Sequence, residues 1–374
     1  MGYLATMDLP VMPPIRPMLA KSVTGVPEAD AIEGGLVYEP KWDGFRAIVF
    51  RDGDEVEIAS RSTKPLTRYF PELVEAVKES LPERCVVDGE IVVVNGDRLD
   101  FDLLSQRIHP AASRVTLLAE QWPARLVVFD LLAIGDDDVT EEPFSTRREL
   151  LVAELDGLDG QVSVTRVTGD TTTATEWFEV FEGAGLDGVV AKPLASSYVS
   201  NGRVMLKVKH ARTADVVVAG YRLHKTSTPA RPLLGSLLLG LYAADGRLQH
   251  VGVAASFTEQ RRAELIEELA PLVAAADDEH PWAAWQDEEA QASGRLPGGQ
   301  SRWTGTKDLS FVPLRPERVA EVGYEHMEGE GDGARFRHTA RFKRWREDRE
   351  PQSCTYEQLE EVARYDLNEV LGAH

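Results

Sequence analysis

The chain has 374 residues, of which 43% are hydrophobic and 28% charged, a composition typical of a globular protein with room for two domains. No apolar run approaches the roughly 20 residues that span a bilayer, and the first residues, starting at Met1 or Met7, lack the layout of a signal peptide. Cys85 and Cys354 give neither a disulfide framework nor a zinc spacing, so we expect a cytoplasmic protein without membrane attachment.

The net charge of −21 argues mildly against nucleic-acid binding, but the charge is unevenly distributed. Residues 335–349 contain seven Lys or Arg against two acids, and residues 202–212 contain four against none. The acids come partly in blocks, such as residues 136–138, that are typical of solvated loops. A basic groove on an acidic protein is therefore compatible with the sequence.

The first half of the chain alternates strand and helix patterns after a Pro- and Gly-rich lead-in over residues 1–30. Short apolar runs predict strands at residues 36–39, 47–50, 56–59, 85–87, 91–94, 126–132, 189–190 and 205–206. The second and third of these runs flank an Asp-Gly turn, which indicates a hairpin. Helical spacing predicts a helix over residues 68–81, and a capping box beginning at Thr146 predicts the start of another.

The pattern changes near Arg212, where strands become frequent. Strands are predicted at residues 215–221, 235–242, 249–255, 309–313 and 319–324, and a helix over 258–273 with Thr258 as its N-cap. Several strands, glycine corners and one helix suggest a small β-barrel, for which the OB-fold is a natural candidate. We therefore predict a first domain over residues 1–211, a barrel domain over 212–350 and a tail over 351–374.

One local motif combines a strand end with reactive side chains: Lys41-Trp42-Asp43-Gly44-Phe45-Arg46. A strand end that opens into a turn presents its side chains to a cleft, and a lysine amine there can act as a nucleophile once it is deprotonated. Nearby cations favour the neutral amine. Taken alone, the motif fits an ordinary hairpin with exposed charges at least as well.

Four further motifs follow in chain order: Asp88-Gly89-Glu90, Phe129-Asp130, Asp187-Gly188-Val189-Val190-Ala191-Lys192 and Leu206-Lys207-Val208-Lys209. Each lies beside a predicted strand, and Glu90 is expected to begin one. On a strand, Lys207 and Lys209 point to the same face, where two like charges repel each other unless an anion lies between them. A phosphate is the obvious anion, and an exposed strand face is the alternative.

Together these motifs resemble, in residue type and order, the signature of the covalent nucleotidyltransferases, which include ATP-dependent DNA ligases, RNA ligases and mRNA capping enzymes. The match covers nearly the whole chain, and residues 207–221 and 234–257 most resemble compact bacterial DNA ligases, closest to the actinobacterial ligase C group. The resemblance implies an α+β protein: a nucleotidyltransferase (ATP-grasp-like adenylation) domain of antiparallel sheets and helices, followed by an OB-fold barrel. It also implies an ATP-dependent ligase that seals 5′-phosphate/3′-hydroxyl nicks in duplex DNA.

The resemblance also implies a role for each matching residue. Lys41 resembles the lysine that attacks the α-phosphate of ATP and then carries AMP. The implied nucleotide- and substrate-binding residues are Glu39 near the adenine amino group, Phe129 on the adenine ring, Arg46 and Glu90 at the ribose, Lys207 and Lys209 at the α-phosphate, Arg61 at the 5′-phosphate of the nick and Arg346 at pyrophosphate. The implied ligands of Mg²⁺, or of another divalent cation such as Mn²⁺, are Glu90, Asp187 and Asp348.

The chain departs from the family pattern at two positions. Asp187 stands where the family usually has Glu, which is one methylene longer, but both residues offer hard oxygen ligands. Residues 346–349 read Arg-Glu-Asp-Arg, whereas the family motif usually ends in Lys, so a planar guanidinium replaces a point charge at Arg349.

Three alternatives are open at this point. An RNA ligase or a capping guanylyltransferase would use the same chemistry, because stacking on Phe129 suits either purine. An inactive nucleic-acid-binding module would keep both folds, and a small-molecule ATP enzyme would show no salt-dependent DNA binding. The resemblance favours a DNA ligase that acts in DNA repair with a gap-filling polymerase. We expect a monomer in the bacterial cytoplasm, associated with the nucleoid, because clamping DNA leaves no need for symmetry.

Overall fold

The computed structural model describes residues 7–155, 158, 160–275, 279–284, 296–297, 310–329, 331–359 and 364–371. The chain divides into two compact units, one formed by residues 1–210 with 362–374 and the other by residues 211–361. Both units combine strands with helices, which confirms the predicted α+β class. Among the described residues, no helix is long and apolar enough to cross a membrane.

The first unit is built on two sheets. The larger sheet contains β3 (Phe45–Asp52), β4 (Glu55–Ser60), β5 (Arg84–Asn95), β6 (Arg98–Leu99), β7 (Ala124–Ile134), β8 (Asp137–Asp138) and β9 (Val162–Val164), in the order β4-β3-β5-β7-β8 with β6 on β5 and β9 on β7. The smaller sheet contains β1 (Leu19–Ser22), β2 (Leu36–Pro40), β10 (Val189–Pro193) and β11 (Arg203–Val208), in the order β1-β11-β10-β2. The connecting helices are α1 (Pro71–Ser80), α2 (Phe101–Gln106), α3 (Ala112–Gln121), α4 (Phe144–Leu155) and α5 (Thr171–Val180).

The central strands of the larger sheet are buried on both faces, which is why they read as continuous apolar runs. On β3, Ala47 and Val49 join one hydrophobic cluster, whereas Ile48 and Phe50 join another on the opposite face. The predicted hairpin is confirmed, because β3 and β4 pair antiparallel around a turn at Gly53, whose φ is +60°. The first motif lies at the other end of β3, which begins at Phe45.

Two of the predicted strand boundaries were wrong in this unit. Residues 85–94 form one strand, β5, so Glu90 lies inside a strand and does not begin one. The strand can continue past residue 89 because glycine has no Cβ. A Cβ there would lie 2.7 Å from the Val127 carbonyl oxygen of β7, which is too close for any other residue. The Pro- and Gly-rich lead-in also contains a strand, since β1 pairs with β11 in parallel.

The capping box predicted at Thr146 was also wrong. Helix α4 begins at Phe144, so Thr146 lies within its first turn. The backbone N–H groups of Phe144 and Ser145 donate to the carbonyl oxygens of Ser196 (2.8 Å) and Leu194 (3.0 Å). A distant loop therefore satisfies the first free amides of the helix, and no side-chain cap at Thr146 is needed.

The second unit is a five-stranded antiparallel sheet with one long helix among its described residues. The sheet contains β12 (Arg212–Leu223), β13 (Leu234–Tyr242), β14 (Leu248–Ala254), β15 (Val312–Tyr324) and β18 (Arg341–Trp345), in the order β14-β13-β12-β15-β18. Two short strands, β16 (Met327–Glu328) and β17 (Arg335–Phe336), pair with each other in a separate two-stranded sheet. The helix α6 (Glu259–Leu269) has the predicted N-cap, because the Thr258 side chain accepts from the Arg261 N–H. The two strands predicted over 309–313 and 319–324 are one strand, β15, and residue 309 lies outside the described residues.

A short helix, α7 (Leu367–Leu371), packs with the first unit. Its Leu367 and Val370 side chains are buried in a hydrophobic cluster that also contains Trp42 and Phe181. The Leu367 N–H donates to the Asp97 carbonyl oxygen at 2.8 Å. The chain thus returns to the first unit and covers the residue that follows Lys41.

Gly44 is sterically required, and its replacement provides a test of the strand arrangement. A Cβ on Gly44 would lie 2.1 Å from the Ile91 carbonyl oxygen of β5, so we expect Gly44→Ala to lower the free energy of unfolding of this unit by about 3 kcal/mol. Thermal or urea unfolding measures the change. Gly169→Ala is the matched control, because a Cβ there meets nothing within 4 Å and should change stability by less than about 0.5 kcal/mol. Equal effects of both variants would contradict the close approach of β5.

Candidate active site

Lys41 and Asp187 are held opposite each other by the backbone. The Lys41 N–H donates to the Gly188 carbonyl oxygen, and the Asp187 N–H donates to the Lys41 carbonyl oxygen, both at 2.8 Å. This pair of hydrogen bonds continues the antiparallel pairing of β2 with β10. Two motifs that are 146 residues apart in sequence therefore meet at one strand end.

The Asp187 carboxylate lies between two lysines. It accepts a short hydrogen bond from the Lys41 Nζ, and its Oδ2 lies 2.8 Å from the Lys209 Nζ. The Asp187 side chain is 5% exposed, whereas those of Lys41 and Lys209 are 20% and 22% exposed. One buried carboxylate thus holds two partly exposed ammonium groups, and the shorter side chain of Asp is long enough to do so.

Gly188 explains how Lys209 reaches this position. Its φ is +115°, and a Cβ there would lie 2.1 Å from the Val208 carbonyl oxygen. Only glycine adopts this backbone conformation without strain, so the segment after Asp187 can approach the end of β11 closely. Lys207 precedes Val208 on the same strand, opposite Val190 of β10, and is half-buried.

Arg46 is fixed by a buried carboxylate. Its Nε and Nη2 donate to the two oxygens of Asp88, at 2.5 and 2.6 Å, in a bidentate ion pair. Asp88 is fully buried and also accepts from the Tyr198 hydroxyl at 2.6 Å. The Arg46 guanidinium lies over the Phe129 ring, 4.4 Å from its centroid. A bidentate pair and a ring contact hold this cation in one geometry.

Glu90 faces the same side of the sheet as Arg46, because the two residues are directly opposite on β5 and β3. Burial raises the pKa of the Glu90 carboxyl to about 7, while the nearby charges of Arg46 and Lys41 lower it. Burial therefore favours the protonated form of this carboxyl more than in water. Such a group can accept a hydrogen bond from a hydroxyl or bind a cation.

Glu39 is a buried carboxylate beside the predicted stacking ring. One of its oxygens lies 2.9 Å from the Lys192 Nζ, and the same ammonium donates to the Phe129 carbonyl oxygen at 2.8 Å. Glu39 is 2% exposed, and its other oxygen, Oε1, has no hydrogen-bond partner. An acceptor without a partner beside an aromatic ring suits a ligand that carries an amino group.

Arg61 and Arg346 lie in different surroundings. Arg61 is exposed at the turn after β4, where Thr63 has a φ of +62°. Arg346, in the second unit, donates to both oxygens of Asp215 at 3.0 Å and to both oxygens of Asp348 at 2.8 and 2.9 Å. The hydrogen bonds from Arg346 hold the pKa of Asp348 at about 2.

The donor set suits a hard divalent cation that keeps most of its water. No group of three or more His, Cys, Asp or Glu side chains gathers in a metal-binding arrangement anywhere in the described ranges. Asp187 and Glu90 both lie close enough to Lys41 to interact with its charge. Two carboxylates fit Mg²⁺, which is usually bound through one or two carboxylates, phosphate oxygens and water.

Some residues of this site were not singled out from the sequence. Asp88 and Lys192 belong to motifs that the sequence analysis quoted, but no role was expected for either. Tyr198 gave no local signal, because its partner Asp88 is 110 residues away. Their positions follow from strand pairing that the sequence does not display.

Comparison with known proteins identifies the family of the chain. Residues 17–209 match the family model of the ATP dependent DNA ligase domain, and residues 230–349 match that of the ATP dependent DNA ligase C terminal region. The chain is 55% identical over 369 residues to DNA ligase C of Mycobacterium tuberculosis, covering 98% of this chain and 99% of that protein. It is 50% identical over 371 residues to DNA ligase C1 of Mycolicibacterium smegmatis, with the same coverage of 98% and 99%. A solved Lig E DNA ligase has the same fold, with a TM-score of 0.51 at 16% identity over 88% of this chain and 99% of that one.

The chain therefore belongs to the ATP-dependent DNA ligases, which combine a nucleotidyltransferase domain with an OB-fold domain. Within this family it matches the actinobacterial ligase C group. The predicted fold, the DNA ligase activity and the use of ATP are confirmed. The family match favours a DNA ligase over the alternatives of an RNA ligase, a capping enzyme and an inactive binding module.

Proposed function

We propose that the protein seals 5′-phosphate/3′-hydroxyl nicks in duplex DNA through AMP bound covalently to Lys41. The position of the Lys41 amine carries the proposal, since it lies at a strand end against Asp187, which also holds Lys209. Hydrogen bonds on both sides of the backbone fix this geometry. A nucleophile held beside a proton acceptor and a second cation suits attack on a phosphate.

In the first step, the Lys41 amine forms a bond to the α-phosphorus of ATP. The bond from that phosphorus to the bridging oxygen breaks, and pyrophosphate leaves with the electron pair. Asp187, which holds the Lys41 ammonium, accepts the proton that the amine gives up. Lys207 and Lys209 offset the negative charge of the α-phosphate as it develops.

In the later steps, an oxygen of the DNA 5′-phosphate attacks the phosphorus of the bound AMP, and Lys41 leaves as an amine. The 3′-hydroxyl then attacks the 5′-phosphorus, loses its proton and displaces AMP. Arg61 contacts the 5′-phosphate of the nick from its exposed turn after β4. Arg346 contacts pyrophosphate in the first step, and this requires its pair with Asp348 to open.

The nucleotide is held at three places in this proposal. Glu39 accepts a hydrogen bond from the adenine amino group through its unpartnered Oε1, and Phe129 contacts the base. Arg46 and Glu90 contact the ribose from adjacent strands. Asp187 and Glu90 would hold Mg²⁺ or Mn²⁺, and the bound divalent cation would supply Lewis-acid stabilisation of the triphosphate charge.

The proposed setting is DNA repair in the bacterial cytoplasm, with the protein acting as a monomer beside a gap-filling polymerase. The support is the resemblance to the ligase C group described above. Size-exclusion chromatography with light scattering tests the monomer, and sealing of a filled gap in the presence of a polymerase tests the setting. A stable dimer, or no response to the polymerase, would contradict these two points.

The activity itself is tested with a nicked duplex, ATP and Mg²⁺. We expect a DNA nick to be sealed with ATP but not with GTP, and sealing to stop when EDTA removes the divalent cation. Sealing rates on nicks that carry RNA on the 3′-hydroxyl side or on the 5′-phosphate side show whether the protein prefers DNA or RNA at each side. Efficient sealing of RNA nicks with no sealing of the DNA nick would overturn the proposal.

Arg61 is expected to act only after AMP has been loaded. We expect Arg61→Ala to slow nick sealing by about 10- to 100-fold, because a charge-assisted hydrogen bond to the 5′-phosphate is lost. Self-adenylylation should stay within about threefold of wild type, since Arg61 lies at an exposed turn. Lys64→Ala, an exposed neighbour, is the control. Equal losses of nick sealing and of self-adenylylation would contradict a role of Arg61 that is confined to the steps after AMP loading.

A further inference from the structure

Three buried polar atoms on two oppositely charged residues have no hydrogen-bond partner: Glu39 Oε1, Arg148 Nε and Arg148 Nη1. Glu39 is 2% exposed and Arg148 is 9% exposed. An unpartnered buried donor or acceptor typically costs about 1–3 kcal/mol, and more on a charged group. Orphaned atoms on both a carboxylate and a guanidinium therefore call for a missing partner.

Arg148 is anchored close to the nucleophile. It lies on α4, and its Nη2 donates to the Thr165 carbonyl oxygen at 2.7 Å. The Thr165 hydroxyl in turn accepts from the Trp42 indole N–H at 2.8 Å, and Trp42 directly follows Lys41. One edge of the guanidinium is thus used for anchoring, and the Nε and Nη1 hydrogens are left over.

Glu39 and Arg148 interact through space without bonding to each other. Burial raises the pKa of Glu39, while Lys192 and Arg148 lower it. Burial lowers the pKa of Arg148, while Glu39 raises it. The two charges are close enough to influence each other, yet the atoms that would form a direct ion pair have no partner. A ligand edge that bonds to both side chains would give these atoms their missing partners.

We propose that Arg148 is a specificity-determining residue that donates a hydrogen bond to a ring nitrogen of adenine. This nitrogen lies beside the amino group, which donates its own hydrogen bond to Glu39. The inference rests on the proposed function, in which Glu39 and Phe129 hold the base. Adenine presents an amino donor next to a ring-nitrogen acceptor, N1 on one edge and N7 on the other. An acceptor from Glu39 and a donor from Arg148 complement either edge.

Guanine lacks this complementarity. Its O6 would meet the Glu39 carboxylate, so two acceptors would face each other in a buried site. A site with polar groups placed for one ligand rejects an analogue that leaves those groups unpaired. Arg148 and Glu39 together therefore select ATP over GTP at the base, which stacking on Phe129 alone does not achieve.

Atom-specific analogues of ATP test the proposal. Self-adenylylation is measured with ATP, 1-deaza-ATP and 7-deaza-ATP on wild type, Arg148→Met and the exposed control Arg98→Met. We expect wild type and Arg98→Met to use ATP about 10- to 100-fold better, in kcat/KM, than one of the two deaza analogues. Arg148→Met should use ATP and that analogue equally well. Because each ratio is taken on one preparation, it is independent of the folded fraction.

Two results would overturn the proposal. If the wild-type protein uses both deaza analogues with the same kcat/KM as ATP, it forms no hydrogen bond to either ring nitrogen. This measurement needs no variant. If Arg148→Met discriminates between ATP and the deaza analogue as strongly as wild type does, another group donates the hydrogen bond. Failure of the proposed function looks different, since wild type would then form no covalent AMP from ATP itself.

Discussion

Lys41→Ala is expected to retain no label from α-labelled ATP on a denaturing gel, a loss of at least about 1000-fold. The amine of Lys41 is the atom that forms the bond to the α-phosphorus in the proposed mechanism, and Lys209 also lies against Asp187, 2.8 Å from its Oδ2. Removing a covalent nucleophile leaves only the contribution of binding. The half-exposed Lys78→Ala, whose Nζ pairs only with a surface glutamate within the described contacts, is the matched control.

A second substrate separates loss of the nucleophile from loss of the fold. A nick that already carries AMP on its 5′-phosphate needs no lysine attack, so Lys41→Ala should still seal it. We expect a rate within about tenfold of wild type, since the remaining groups that contact the DNA are unchanged. Label on Lys41→Ala at the wild-type level would place the nucleophile elsewhere. Failure on the pre-adenylylated nick, with thermal unfolding unchanged, would assign Lys41 a further role in the last step.

Asp187→Asn is expected to slow self-adenylylation by about 100- to 1000-fold, the second largest effect. The amide keeps the shape of the side chain but removes the charge that holds the Lys41 and Lys209 ammonium groups. It also removes a proton acceptor and a hard oxygen ligand for a divalent cation. The rate of label transfer at saturating ATP, measured over a series of Mg²⁺ concentrations, checks the prediction.

The matched variants for this position are Asp187→Glu and Asp54→Asn. Glutamate restores the charge with one more methylene, so we expect Asp187→Glu to recover most of the activity. Asp54 lies exposed at the β3–β4 turn, so Asp54→Asn should self-adenylylate at the wild-type rate. If Asp187→Asn kept wild-type activity at low Mg²⁺, the carboxylate would serve only to pair with the lysines.

Much of the proposed site could be predicted because its residues sit in short motifs at strand ends. Lys41 follows β2, Asp187 precedes β10 and Lys209 follows β11, and in each case the apolar run beside the polar residue marks the strand. Composition near Arg212 likewise separated an early α+β region from a later strand-rich one. The individual roles of these residues stay predictions until the variants are measured.

Other parts of the site could not be predicted, because they depend on partners far away in sequence. Asp88 is held by Tyr198, and Arg148 reaches Thr165, neither of which shows a local pattern. The start of α4 was misplaced for the same reason, since carbonyl groups of a distant loop cap it. Helix α7 gave no sequence signal of its own, because what orders it is the hydrophobic cluster around Trp42.

The sequence by itself determined the fold class, the family and the order of the reactive residues along the chain. The positions of strands, turns and charged strand ends follow from local spacing, which is a property of short segments, whereas the family and its fold follow from the resemblance of the motifs. Only the tertiary structure decided which buried charges meet, as in the pairs of Arg46 with Asp88 and Lys192 with Glu39. It also left buried atoms of Glu39 and Arg148 without hydrogen-bond partners, because strand register and helix position set their surroundings, and no local pattern encodes either.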